Sequence, residues 1–135
     1  MTNALDQHFA VLQQALDLRA YRQQLLAANM ANADTPNYKA VDLDFGAALR
    51  GALAGHGQAL PLATDNGAQL QPQAQAEPAA EFVAFQAGNS VRLDGNSVNM
   101  NREQAAFARN SLQYEADLTF ITGRIKTMAS AITGN

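Results

Sequence analysis

The chain is expected to be mainly α-helical, its long N- and C-terminal helices pairing as an antiparallel coiled coil, with a loop-rich middle that contains at most a small β-hairpin. Three observations predict this. Apolar residues recur at helical spacing over residues 3–32, they recur at heptad spacing over residues 101–132, and between the two stretches large apolar side chains are sparse. The expected organisation is a first helix and junction over residues 1–45, a variable middle over 46–98, and a coiled-coil helix over 99–135, with both ends forming one assembly domain.

In the first helix Leu5, Phe9, Leu12, Leu16, Ala27 and Met30 share one face at 3.6 residues per turn. Val11, Ala15, Leu18, Tyr21 and Leu25 share a second, nearly opposite face. A single partner helix covers one such stripe, so the second needs another helix, from the same chain or from a neighbouring copy. Arg19 and Gln23 interrupt the first stripe. They fix register if buried, but the expectation is that they reach solvent along their own stems.

The stretch Asn29 to Lys39 ends this helix and fixes how the chain leaves it. Asn32 tolerates the left-handed conformation at which helices often stop, and Pro36 cannot continue a helix and pushes Thr35 toward an extended conformation. Asn37 can take a positive φ, so Pro36-Asn37 suits the centre of a type II turn, from which Tyr38 and Lys39 emerge in a defined direction.

The middle encodes little packing. Phe45 to Leu70 is Ala- and Gly-rich with weak helical patches, and Gln71 to Ala80 reads as a linker or mobile loop. Glu81 to Phe85 is the one strand candidate, with Ser90 to Leu93 able to pair with it across residues 86–89. Asp94-Gly95-Asn96 reads as a tight turn into the last helix.

In that helix Met100, Phe107, Tyr114, Ile121 and Met128 repeat every seven residues. Leu118, Ile125 and Ile132 repeat four positions further on, with Ser111 as the weak member of the row. The pattern is that of a coiled-coil seam. Asn101 and Gln104 have the spacing of a capping box, and Gly123 either permits close backbone approach or is a tolerated defect.

Bulk composition excludes several function classes. A length of 135 residues suits one domain, and a formal net charge of -3 with a pI near 5.2 gives no electrostatic reason to expect nucleic acid as a partner. There is no cysteine, hence no disulfide, thiolate metal site or cysteine nucleophile. Much of the apolar content is alanine, which favours helix but buries little area. Neither a cleaved secretory signal nor direct membrane insertion is expected, because Asp6, Gln13, Gln14 and Asp17 interrupt the early apolar residues.

No catalytic residue, cofactor or metal ligand is expected. His8 and His56 are far apart and read as surface histidines. Asp94 to Glu103 has the residue types of a calcium loop, but Val98 stands where an oxygen ligand is required and the glycine is misplaced. Asp42 and Asp44 point to one side of an extended segment, and the expectation is a solvated edge. No P-loop, nucleophile elbow or dinucleotide fingerprint is present.

Two blocks of this chain carry a resemblance. Leu25 to Ala28, Asn29 to Lys39 and Ala40 to Phe45 resemble the N-terminal signature of bacterial flagellar rod and hook axial proteins, most closely those of the proximal rod. Asp94 to Glu103, followed by Tyr114 to Ala116, Leu118 to Ile121 and Gly123 to Met128, is similar to the C-terminal block of the same family. The blocks lie in the family's order and spacing, whereas the middle third matches nothing. The chain departs from the family pattern in having Asn37 where glycine is usual, and Asn99 and Asn101 where acidic residues are usual.

The resemblance implies a structural subunit of the basal-body rod that self-assembles through its terminal helices and transmits torque. It implies a place at the base of the rod in the periplasm, near the MS-ring and export gate, with FliE and FlgC among its neighbours. Export by the flagellar type III apparatus, without a cleaved signal, is implied as well. The assembly interface is expected at Leu5, Phe9, Leu12, Leu16, Leu18, Leu25, Met30, Phe107, Tyr114, Leu118, Ile121, Ile125, Met128 and Ile132. The family junction motif is Asn29, Asn32, Asp34, Thr35, Pro36, Asn37, Tyr38 and Lys39, and the turn motif is Asp94, Gly95 and Asn96. The competing reading is a soluble helical coiled-coil binding module, such as an adaptor or an export chaperone.

Overall fold

The computed structural model describes residues 2–55 and 79–134. Helix α1 (Thr2–Ala31) is followed by strand β1 (Val41–Leu43) and helix α2 (Phe45–Gly55). A 3-10 turn (Ala80–Phe82), strand β2 (Val83–Phe85) and helix α3 (Met100–Thr133) complete the described chain. The fold is mainly helical, and α1 and α3 pack against each other in antiparallel fashion: Asn29 near the end of α1 meets Glu103 at the start of α3, and Arg19 meets Asp117 further along. At 1.5 Å per residue these helices are about 45 and 50 Å long, so they set the long dimension of the hairpin.

Helix α3 starts at Met100, the first member of its apolar repeat and one residue before the expected stretch 101–132. Its N-cap is Asn99, extended at φ -105° and ψ 101°, whose Oδ1 accepts from the Arg102 backbone N–H at 3.2 Å. Asn101, expected to open a capping box with Gln104, lies instead inside the first turn, because the extended conformation at residue 99 already exposes the orphan amides of the helix.

The small antiparallel sheet pairs β1 with β2 in the register Val41 to Phe85, Asp42 to Ala84 and Leu43 to Val83. The strand candidate at Glu81 to Phe85 is therefore present from Val83, but its partner is not Ser90 to Leu93. The segment leaving the junction supplies the partner, and the ladder continues one step further with the Gln86 N–H donating to the Ala40 carbonyl at 2.9 Å. Pairing this way buries Leu43 against α1, an apolar gain that a local hairpin with the exposed Val91 and Leu93 lacks.

That sheet and α2 cover the second stripe of α1. Leu18, Leu43, Ala48 and Ala79 form a buried cluster, against which Tyr21, Leu25, Phe45, Leu49, Phe82 and Val83 pack. The expectation that the middle encodes little packing is corrected here. Alanine and glycine at the right positions let α2 approach closely: Ala48 is buried, and a Cβ on Gly51 would lie 2.5 Å from the Phe82 ring. Residues 56–78, which include His56 and most of the expected linker at Gln71 to Ala80, lie outside the described residues, but Ala79 at its end is part of the core.

A second cluster of Ala33, Ala40 and Val98, with Tyr38 and Met100 against it, sits where the junction meets the start of α3. Among the described residues, the five largest fully buried side chains are Leu26, Glu103, Asn29, Asn96 and Asn110. Four of the five are polar. The join between the chain's two ends therefore depends on hydrogen-bond geometry as much as on apolar burial.

Candidate assembly site

The junction closes α1 without a left-handed residue. Asn32 tolerates that conformation but does not take it: among the described residues Asn37 is the one non-glycine residue with positive φ, at 62°. Asn32 satisfies the helix end with its own groups: its backbone N–H and its Nδ2 both donate to the Ala28 carbonyl, at 3.1 Å and 2.8 Å. Beyond it Thr35 Oγ1 donates to Asn32 Oδ1 at 3.1 Å. The turn at Pro36-Asn37 forms as expected, closed by the Tyr38 N–H on the Thr35 carbonyl at 3.3 Å, with the positive φ at its third position that type II requires.

The turn before α3 docks directly onto this junction. Asn37 N–H donates to the Asp94 carbonyl at 2.9 Å, and Ser97 N–H donates to the Tyr38 carbonyl at 3.0 Å. Lys39 Nζ donates to the Gly95 carbonyl at 2.7 Å, and Ala40 N–H to Ser97 Oγ at 2.9 Å. Asn96, fully buried, donates from Nδ2 to the carbonyls of Asn32 at 2.9 Å and Thr35 at 2.8 Å, while its Oδ1 accepts from Val98 N–H at 2.8 Å. One amide side chain thus adds a second bond to two carbonyls of the junction that already accept the Thr35 and Tyr38 N–H groups. Asp34 stays exposed, 3.8 Å from Arg92 in a surface ion pair.

Asn29 ties the same region to α3 and β1. Its Oδ1 accepts from the Tyr38 hydroxyl at 3.2 Å and from Val41 N–H at 3.1 Å. Its Nδ2 donates to the Val41 carbonyl at 2.7 Å and to Glu103 Oε2 at 2.9 Å. The side chain therefore pairs with Val41 as a neighbouring strand would, while holding a carboxylate of α3. Burial raises the Tyr38 phenol above its usual range, and the negative charge of Glu103 adds to the effect.

Along the middle of the helix seam the hydrogen-bonded contacts come from one polar row of α3. Arg19 pairs with Asp117 and donates from Nη1 to Gln113 Oε1 at 2.9 Å. Gln23 Nε2 donates to Ser111 Oγ at 2.6 Å, and Asn110 Nδ2 donates to Gln23 Oε1 at 2.6 Å and to the Arg19 carbonyl at 2.9 Å. Arg19 and Gln23 are thus turned into the seam, contrary to the expectation that they reach solvent, because Asp117, Asn110 and Ser111 offer partners there. The Arg19 guanidinium also lies 4.5 Å from the centre of the Phe45 ring.

The heptad rows of α3 divide between the seam and the outside. Phe107, Tyr114, Ile121 and Met128 are half-buried beside α1. The row of Leu118, Ile125 and Ile132, expected as the second half of the seam, is exposed at 47%, 50% and 86%. Glu103, Asn110 and Asp117, also spaced by seven, take its place against α1. On α1, Leu18 is buried, Phe9, Leu12, Leu16, Leu25 and Met30 are half-buried, and the side chain of Leu5 is outside the described residues. Phe9 and Leu12 line a groove of about 250 Å³ with Phe120, Thr127 and Met128, with His8 at its edge. A Cβ at Gly123 meets nothing within 4 Å, so close approach at Gly123 is not made within the described residues.

Sequence reasoning missed Leu26, Glu103 and Asn110 as interior residues. Leu26 falls between the two stripes of α1, and Glu103 and Asn110 are invisible to a search for apolar periodicity, although their spacing of seven with Asp117 was there to be found. Asp42 is not a solvated carboxylate: Arg22 grips it with two bonds of 2.8 and 2.7 Å, and that hydrogen-bonded partner raises the guanidinium's affinity for its proton. Asp44 caps α2 by accepting from Ala47 N–H at 2.9 Å. Among the described residues no helix is long and apolar enough to cross a membrane.

Comparison with known proteins extends these observations to the whole chain. The family described as flagella basal body rod protein matches residues 9–39, which run from the first third of α1 through the junction. The flagellar basal body rod protein FlgB of Yersinia ruckeri is 40% identical over 137 aligned positions, covering 98% of each chain. FlgB of Salmonella typhimurium is 40% identical with 99% of each chain covered, and FlgB of Escherichia coli K12 is 40% identical with both chains covered in full.

Proposed function

Because the chain belongs to the FlgB family of flagellar basal body rod proteins and is thus a structural subunit of that rod, we propose that it assembles through the outward apolar rows of its terminal helices. The observation that carries this reading is the heptad-spaced row Leu118, Ile125 and Ile132, exposed on a chain whose deepest side chains are mostly polar. A monomer gains little from leaving that surface in water, whereas packing it between copies removes it. The sequence-predicted interface divides accordingly. Leu118, Ile125 and Ile132 serve neighbours, Leu18 and Leu25 serve the chain's own α2, and Phe107, Tyr114 and Ile121 line the hairpin.

The finer placement follows the family resemblance. The subunit stands in the periplasmic part of the rod at its proximal end, meets copies of itself together with FliE and FlgC, adjoins the MS-ring and export gate, and arrives through the flagellar type III apparatus. Rotation is then passed on mechanically, without catalysis. A soluble coiled-coil adaptor is the less favoured reading, since the named relatives that span the full chain are rod proteins. Imaging assembled basal bodies at side-chain resolution tests the proposal: the Leu118 row should lie against a neighbouring subunit, and finding it bathed in solvent in the finished rod would overturn the reading.

A further inference from the structure

Helix α3 carries two heptad rows that are neighbours in sequence and compete for the same partner. Glu103, Asn110 and Asp117 face α1. Leu118, Ile125 and Ile132 follow one position later in the repeat, about 100° further round the helix, and point outward. Apolar burial alone favours the neighbouring azimuth, in which α3 turns about its axis, hides the leucine and isoleucines, and returns the carboxylates and the amide to water. The chain adopts the other arrangement. Glu103 and Asn110 are 0% and 1% exposed, and Glu103 Oε1 and Asn110 Oδ1 are buried with no hydrogen-bond partner among the described residues. A row chosen for apolar burial alone would not place a carboxylate and an amide at 0% and 1% exposure.

The row does have complementary partners on α1, and they are specific to one azimuth. Asn29 binds Glu103, Gln23 and the Arg19 carbonyl bind Asn110, and Arg19 binds Asp117. Rotating α3 breaks all of these together and strands Arg19, which is held by α3 on one side and the Phe45 ring on the other. Polar groups buried at single heptad positions are known to select one packing at the expense of stability.

We propose that this polar row sets the azimuth of α3 and thereby holds Leu118, Ile125 and Ile132 outward, where a second copy of the chain takes them. The second-copy half rests on the reading of the chain as a rod subunit; the azimuth belongs to the single chain and is tested there. The chain has no cysteine, so Ile125→Cys in the full-length protein gives one thiol whose reaction with a maleimide reports its exposure. At concentrations where sedimentation gives a monomer, that thiol reacts at nearly the rate of a free peptide thiol. Adding Asn110→Leu and Asp117→Leu slows it about tenfold or more as position 125 turns inward, with helix content retained. Adding Asp117→Asn, which keeps a polar partner for Arg19, leaves it fast.

A thiol already protected in the otherwise native monomer overturns the proposal, as does an unchanged rate in the helical doubly substituted chain. If that chain loses helix content, Asp117→Leu alone decides by the same readout. Raising the concentration of the Ile125→Cys chain then tests the partner: protection that grows with self-association supports the second copy. Labelling that stays fast in the assembled state overturns that half and leaves the azimuth measurement standing on its own.

Discussion

Gly95 and Asn37 are in such close contact that no side chain fits between them: a Cβ on Gly95 would collide with the Asn37 side-chain oxygen and lie 3.3 Å from its Cα. Both residues have positive φ, 81° and 62°. Two turns from opposite ends of the chain are thus fitted backbone to backbone, and the fit depends on what is missing at residue 95.

Gly95→Ala is expected to destabilise the purified chain by about 2 kcal/mol or more, since the substitution combines a strained conformation with a steric clash. Thermal unfolding followed by circular dichroism measures the loss. A melting temperature within a degree of the parent would show that the turn and the junction separate freely.

Asn96→Ala removes the side-chain donor from the Asn32 and Thr35 carbonyls, which keep the Thr35 and Tyr38 N–H groups, and leaves the buried Val98 N–H without its acceptor. The expected cost is about 1–3 kcal/mol, from the lost bonds together with one unmatched buried donor. Asp34→Ala serves as the contrast, because its ion pair with Arg92 spans 3.8 Å between exposed groups and is worth roughly 0–1 kcal/mol. Equal effects in chemical denaturation would contradict the docking described for Asn96.

Alkaline pH should weaken the junction through Tyr38. Its phenol is raised above the usual value of 10.0, first by burial and then by the charge of Glu103, so the folded state favours the protonated form. The stability from this shift is complete below the unfolded value near 10 and is lost as pH rises through the higher folded value. Melting temperatures taken between about pH 8 and 11.5 should fall more steeply for the parent than for Tyr38→Phe. Parallel curves would remove Tyr38 from the account.

Replacing Pro36 by alanine together with Asn37→Val removes the turn chemistry and places a β-branched residue at positive φ. A loss of about 2 kcal/mol or more is expected, with rod formation impaired when the variant is the cell's only copy. Wild-type motility from that strain would show the junction geometry to be dispensable.

Ile125→Asp separates folding from assembly. The side chain is half exposed, so helix content and melting of the dilute chain should change by no more than roughly 0.5 kcal/mol. Between copies the same aspartate is buried without a partner, and motility should be abolished. Motile cells would remove the α3 row from the interface.

The long helices and the type II turn at Pro36-Asn37 were legible because each rests on local rules of periodicity or backbone tolerance, whereas the turn read at Asp94-Gly95-Asn96 closes one residue earlier, with the Gly95 N–H on the Arg92 carbonyl. The partner of β2 was not legible, since a strand declares its own conformation and not its neighbour's. The azimuth of α3 was misread for a related reason. Apolar periodicity assigns the greasy row to the inside, and the row of Glu103, Asn110 and Asp117 gains its place only through groups on α1, up to 98 positions away in the case of Arg19 and Asp117. Asn32 shows the limit of residue preference: it tolerates a left-handed turn, yet its side chain reaches the Ala28 carbonyl and makes that turn unnecessary.

The Asn29 amide has a mechanical consequence. Short directional bonds from one side chain to Val41, Tyr38 and Glu103 resist twisting as well as separation, so α1 and α3 behave as two arms of a lever sharing one stiff pivot at the junction end. Toward the opposite end, past Arg19 and Asp117, the arms are joined mainly by soft apolar contact around the Phe9 groove. The two arms are thus joined by directional bonds at one end and by apolar side chains around a groove at the other.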